Sequence, residues 1–384
     1  MFVANNEAPF ADLPAALVEE VLSRTGEVGD RLLETFQDLK RTRAEMREKL
    51  VESNLVMNEA ALGYPPSPTT CAADGSYAIE RLLTVDLVAA AAVAVEGLTP
   101  PSEKRHWADP HHGTFVASEP HRPETATVLR AVMLGNELVL AMDAPHELVM
   151  LDGSFTLPVI YFNQAINSAP GLQELSCSCV FLDNCQKYLE AYVRLLRSDR
   201  SDRQFVALPK YSTRREVGKK AGWGKEFDDR GLLTMLLEPG ELTKPLPLEA
   251  PAQEWHLNTG SIPAEKRDTV DELAESLPAW LNAVHVFYYK PQEWLPALRV
   301  EVPGSIAKNN HRLAIVVRGL KDQCATAAMM EPYPIYLADR TVKSLARALP
   351  TFRQVATQRI SEGYDGDIGE VFFAMHGYRT ESGA

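Results

Sequence analysis

The apolar residues Leu17, Val21, Val28, Leu32, Phe36, Leu39, Met46 and Leu50 recur at intervals near three and four, or their sums, among many Glu and Arg residues. That period predicts a long amphipathic helix over residues 13–55, broken near Gly26. The Pro- and Thr-rich stretch 64–70 ends it. A short strand over 71–74 follows, then apolar β-like runs within 78–95, a polar loop over 100–120, and a helix from 124 to 142 whose apolar face carries Val128, Val132, Leu134, Leu138 and Ala141. Residues 146–151 read as a strand ending at Asp152. Beyond it the pattern predicts strands at 204–208, 230–237, 284–289 and 298–302. Residues 239–263, rich in Pro and Glu, read as an insertion or extended loop. Helices are expected at 312–330 and 335–349, around the turn Glu331-Pro332-Tyr333-Pro334. The order strand, hairpin, helix, strand points to an α/β protein with a ribonuclease H-like mixed sheet flanked by helices and a long N-terminal helix. Three regions result: an N-terminal helical region (1–63), a main domain with inserted basic and Pro-rich segments (64–350), and a C-terminal helix and tail (351–384).

With 384 residues, 45% of them hydrophobic, the chain has enough material for one large core or two modest ones. The apolar run 85–95 is too short to cross a bilayer and carries Asp86, and residues 1–14 lack the basic start of a secretory signal, so a cytosolic protein without membrane contact is expected. Five cysteines do not describe a disulfide framework. Cys177, Cys179 and Cys185 have no fourth zinc ligand at a matching spacing and read as small buried residues. His106, His111, His112 and His121 also lack ligand spacing and read as a surface loop.

The net charge of −13 argues against nonspecific coating of nucleic acid. Between Arg194 and Lys225, however, ten basic residues face three acidic ones, a local balance of +7, with Tyr211 and Trp223 interleaved. Aromatic and basic residues together suit a single-stranded nucleic-acid track, where bases stack and phosphates are neutralised. Arg214, Arg215, Lys219, Lys220 and Tyr211 are the candidate contacts.

The triplet Asp-Gly-Ser occurs at Asp74-Gly75-Ser76 and again at Asp152-Gly153-Ser154, each copy closing an expected strand. Asp-Gly is a common turn signal, but a given tripeptide of this kind is expected only about 0.1 times in such a chain. Two carboxylates at one sheet edge are what a divalent-metal nuclease needs. Glu137, on the expected helix among apolar neighbours, is the third candidate, since an unpaired carboxylate there is costly and a cation would explain it. Glu124 competes for that role.

These motifs, with Lys210-Tyr211-Ser212, Leu298-Arg299-Val300-Glu301-Val302-Pro303 and Tyr333-Pro334-Ile335-Tyr336-Leu337-Ala338-Asp339-Arg340, resemble in kind and order the NurA family of DNA-repair nucleases. The resemblance implies a ribonuclease H-like core and manganese-dependent cleavage of DNA, including 5′–3′ processing of single strands, in repair or anti-phage defence. It also implies a homodimer and a HerA-type hexameric ATPase as partner. By position it assigns Asp74, Asp152 and Glu137 as metal ligands and Lys210 to the scissile phosphate or a nearby water. Many family members carry His where this chain has Asp339. An aspartate can complete a metal site but cannot act as a neutral imidazole. Oxygen ligands suit Mn²⁺ or Mg²⁺, with two ions clamping the attacking and leaving oxygens. Two rivals remain: a catalytically weak DNA-binding adaptor of an ATPase, in which at least one of Asp74, Glu137 and Asp152 points away, and a glycosidase with paired acids, which leaves the basic segment unexplained.

Overall fold

The computed structural model describes residues 13–224 and 228–383; Lys225 of the basic segment lies outside the described residues. Two compact units result, Met1–Asn54 and Leu55–Ala384. The first contains the helix α1 (Ala15–Glu52), which runs through Gly26 without the expected break. Pairs at i,i+4, Arg24 with Glu20 and Lys49 with Glu45, line its polar surface. Leu17, Val21, Leu22, Val28, Leu32, Leu33 and Phe36 are exposed.

The second unit begins with β1 (Val56–Asn58) and then a long meander, β2 (Thr70–Leu82), β3 (Asp86–Glu96) and β4 (His111–Glu119), all antiparallel. After α2 (Thr125–Asp143) the chain returns to the other edge of β2 as β5 (Leu148–Asp152), parallel to it. The helices α3 (Leu157–Ser168) and α4 (Ser176–Arg197) lead to β6 (Gln204–Leu208), parallel to β5. Next come α5 (Glu216–Ala221), α6 (Asp229–Leu236), the short strands β7 (Glu241–Thr243) and β8 (Leu246–Pro247), and α7 (Ala264–Asn282). The hairpin β9 (His285–Lys290) and β10 (Leu298–Val302) joins the sheet at β6. The C-terminal part is α8 (Gly304–Ala307), α9 (Asn310–Gln323), α10 (Tyr333–Val342), α11 (Ser344–Gly363), α12 (Ile368–Ala374) and β11 (Gly377–Gly383). The sheet order is β1-β7-β9-β10-β6-β5-β2-β3-β4, with β8 on β9 and β11 on β2.

Helices cover both faces of this mixed, mostly antiparallel sheet. Along β5, Val149 and Leu151 pack with α2, α3 and α4, while Leu148 and Met150 pack with α9 and α10. That alternation is the period of two inherent in a strand. β3 is buried along its whole length, which explains why it reads as a continuous apolar run. Of the described helices only α2 is long and apolar enough to cross a membrane, and eleven of its nineteen residues are buried in this core.

Several expectations need correction. The first Asp-Gly-Ser does not close a strand: β2 continues through it to Leu82. Residues 111–119, read as loop, form the edge strand β4, in which His111 and His112 lie; Gly, Thr and Ser dilute its apolar alternation, and only one face is covered. Residues 230–237, read as a strand, form α6, started by Asp228, whose carboxylate accepts from the Gly231 amide at 2.7 Å, and held by Leu232, Leu233 and Leu236 at helical spacing. α9 stops at Gln323 instead of reaching residue 330. The prolines of the 331–334 turn start α10, with Pro332 at the cap and Pro334 in the first turn, where a missing N–H costs nothing.

Candidate active site

β5 pairs with β2 only as far as Ala73 opposite Leu151, and β11 pairs with β2 only from Tyr77 onward. Asp74 and Gly75 therefore lie at a fork, paired with β3 on one side and lying between the ends of the β5 and β11 ladders on the other. One step beyond the last pair, the parallel register sets Asp74 beside Asp152, the final residue of β5. Both triplet glycines are needed here, for different reasons. A Cβ on Gly75 would lie 2.6 Å from Cγ of Met133, so its absence lets α2 sit down on the strand. Gly153 has φ +98°, the left-handed region in which the chain turns from β5 towards α3. That turn is pinned by Glu301 of β10, which accepts from Ser154 Oγ at 2.7 Å and from the Phe155 amide at 3.0 Å. Arg299, fully buried, ties Glu301 to the carboxylate of Glu216 and the hydroxyl of Tyr288.

A cleft of about 390 Å³ opens at the fork. Arg130, Met133 and Glu137 enter it from α2, Asp339 from α10, Lys343 from the junction of α10 and α11, and Lys210 and Tyr211 from the segment after β6. Carboxylate oxygens of Asp74, Asp152 and Asp339 lie within 4.8 Å of one another. Glu137 is buried beside them. Glu124, the N-cap of α2, lies thirteen residues before Glu137 and does not line the cleft. The arrangement thus brings together all five residues proposed for chemistry.

The electrostatics are those of crowded acids in a poorly hydrated place. Burial, then repulsion from Asp152, pushes the Asp74 carboxyl up to about 7. Burial with repulsion from Asp74 and Asp152 holds Glu137 well above the ordinary carboxylate range. Asp152 is raised too, mainly by burial, although Lys210 works against the rise. The Lys210 ammonium reaches Asp152 at 2.8 Å, Glu331 at 3.0 Å and Asp339 at 3.6 Å. Burial opposes its charge, but Asp152 and Glu331 outweigh burial and hold it above the usual lysine range. Lys343, four residues on from Asp339, pairs with that carboxylate at 2.7 Å.

A metal ion fits these residues. The donors are all oxygens, as hard divalent ions require. Asp74 Oδ1 accepts its own Gly75 amide at 2.8 Å, whereas Oδ2 is buried and has no hydrogen-bond partner. A buried carboxylate oxygen left in this way is costly unless something binds it.

The crystal structure of the NurA nuclease from Sulfolobus solfataricus superposes with a TM-score of 0.53 at 12% identity, covering 88% of this chain and 98% of that one. The fold is NurA-like. A crystal structure of NurA bound to dAMP and manganese aligns over 82% of this chain and 92% of its own, with 13% identity and a TM-score of 0.49. Another of NurA covers 89% and 99%, with 11% identity and a TM-score of 0.48. No protein-family model and no curated protein matches the sequence.

Within this NurA-like fold, the basic segment is less free than its charge suggests. Arg215 donates to the carbonyls of Trp223 and Gly224, at 2.9 Å for the former, and Arg214 donates to the Glu249 carbonyl at 2.7 Å. Lys219 pairs with the Glu249 carboxylate, while Lys220 and Tyr211 are exposed. Sequence reasoning missed Glu331, Lys343 and Arg130. Arg130 and Lys343 carried a signal in their spacing, two helical turns before Glu137 and one turn after Asp339; nothing local marks Glu331.

Proposed function

We propose that this chain is a divalent-metal-dependent deoxyribonuclease acting on single-stranded DNA. The observation that carries the reading is the convergence of Asp74, Asp152 and Asp339 with Glu137 and Lys210 in one cleft, with a buried Asp74 oxygen unpartnered. An adaptor subunit would have no need to accumulate mutually repelling buried acids at an open fork. The order β4-β3-β2-β5-β6, with β2, β5 and β6 parallel, supports a ribonuclease H-like core.

Asp74, Asp152 and Asp339 would hold a Mn²⁺ or Mg²⁺ ion, and Glu137 would contribute to a second. Bound there, such ions supply the positive charge that phosphodiester hydrolysis needs at its attacking and leaving oxygens. The protein's own share is to fix the carboxylates on strand and helix positions, to exclude bulk water with Met133 and Leu157, and to present Lys210 to the phosphate charge. Glu331 gives the Lys210 ammonium a partner outside the aspartate trio. Purified protein should degrade single-stranded DNA when Mn²⁺ is added, and Asp74→Ala or Asp152→Ala should abolish this without changing the circular dichroism spectrum. A folded variant with near wild-type activity would sink the site assignment, and isothermal titration tests the expected two ions.

The reading extends to a cytosolic homodimer working with a HerA-type hexameric ATPase in DNA repair or anti-phage defence. Its support is the apolar surface of α1, whose exposed Leu, Val and Phe side chains are more than an isolated helix carries without cost. Light scattering on a chain lacking residues 1–54 should show a monomer. Failure of the intact protein to co-elute with such an ATPase would remove the partner.

A further inference from the structure

Arg130 is a half-buried cation without a carboxylate. Its Nη1 donates to the Tyr161 hydroxyl at 2.7 Å and its Nη2 to the Tyr77 hydroxyl at 2.9 Å. The guanidinium carbon lies 4.6 Å from the centre of the Tyr161 ring and 5.3 Å from that of Tyr77. Nε is buried with no partner, and among the described residues no acid pairs with this arginine. The other cations of the same cleft, Lys210 and Lys343, are both held by acids. A guanidinium has five N–H groups, and the two phenols satisfy only two. One N–H on each terminal nitrogen is left, charged donors of the kind that phosphate oxygens accept. Arg130 and Glu137 are seven residues apart on α2, two turns on one face, so both project into the cleft that Asp74 and Asp152 line.

We infer that Arg130, held by Tyr77 and Tyr161, is a seat for an internal phosphodiester of the DNA strand adjacent to the one that is cut, and so fixes the strand's register over the acids. The inference rests on the nuclease reading. It explains why two tyrosines, neutral acceptors, surround this cation: a carboxylate partner would neutralise it and repel the phosphate. A cation–π pair of purely structural value would account for the rings but not for the acid-free placement within an acidic cleft.

The test is binding of a fluorescent single-stranded oligonucleotide in EDTA, where no cleavage occurs, followed by anisotropy from 50 to 200 mM KCl for wild type, Arg130→Gln and Arg130→Lys. Each phosphate neutralised on a single strand contributes about 0.7 to the log–log salt slope. Arg130→Gln should therefore flatten the slope by about 0.7 and weaken binding by about tenfold or more, the usual weight of a charged hydrogen bond. Arg130→Lys should keep the slope and lose affinity, because it keeps the charge without the fork. Thermal unfolding of each variant controls for loss of fold, and a structural role alone would not move the slope. Wild-type slope in Arg130→Gln overturns the assignment while leaving the nuclease reading intact. A loss confined to 5′-phosphorylated strands also overturns it, in favour of an end-phosphate reader. A wild-type protein that binds no strand and cleaves none with Mn²⁺ overturns both.

Discussion

Replacing Asp74 by Asn should remove a pH dependence from the stability of the metal-free protein. Asp74 is 5% exposed, and its carboxyl titrates near 7 in the fold against an ordinary value of 3.8. Between those two values the folded state holds a proton that the unfolded chain has released. Stability then falls as pH rises, by about 1.4 kcal/mol per unit. The stabilisation is complete below the unfolded pKa and is lost once pH passes the folded one. A rise from 3.8 to about 7 corresponds to a loss on the order of 4 kcal/mol across that window, an upper figure because Asp152 and Glu137 relax when Asp74 is neutral. Asparagine keeps the shape and the acceptor for the Gly75 amide but has no proton to release. Urea unfolding in EDTA at pH 4.5 and pH 8 should show the wild type losing stability over this interval and Asp74→Asn losing several kcal/mol less. Excess Mn²⁺ at pH 8 should restore the wild type, by about 2.7 kcal/mol at a hundred times its Kd, and leave the variant unchanged. Parallel pH profiles of wild type and variant would refute the reasoning, since they would mean that Asp74 titrates as an ordinary exposed acid.

Lys210→Met should bind Mn²⁺ more tightly than wild type by calorimetry yet cleave DNA more slowly, because the ammonium competes with an ion for Asp152 and Asp339; weaker Mn²⁺ binding would contradict that view. The same change should destabilise the metal-free protein above pH 7 by about 1–2 kcal/mol, a buried-pair cost discounted for the partial exposure of Lys210. Gly75→Ala should cost about 1–3 kcal/mol by crowding Met133, and Gly153→Ala a similar amount through its positive φ, both read by denaturant midpoint. Arg215→Glu should lower thermal stability, since Arg215 holds the carbonyls of Trp223 and Gly224, whereas Lys220→Glu should leave stability unchanged and weaken strand binding.

The interior of the sheet was legible because strands buried on both faces read as unbroken apolar runs: β5 and β6 were recognised from 146–151 and 204–208, and α2 from its period. Glu137 stood out because a charged residue on the buried side of such a helix has few reasons to be there. What escaped was set by packing over long range. The first Asp-Gly carried a turn signal that tertiary structure overrides, since Gly75 serves the approach of α2 and not a reversal of the chain. α6 is a short apolar run whose period is ambiguous, and the Asp228 cap with the spacing of Leu232, Leu233 and Leu236 decides for the helix. Glu331 meets Lys210 across more than a hundred residues, a pairing that no local period encodes.

β11 has a consequence of its own for how the protein tolerates truncation. From Tyr77 to Leu82 the outer edge of β2 is, among the described residues, paired by β11 alone. Removing residues 377–384 would bare six residues of hydrogen-bonding edge beside a strongly apolar ladder, the kind of surface that recruits another strand. Shortened chains should therefore self-associate through β2, visible as concentration-dependent light scattering, while their metal cleft stays intact. By pairing with β2, β11 acts as a built-in guard against aggregation.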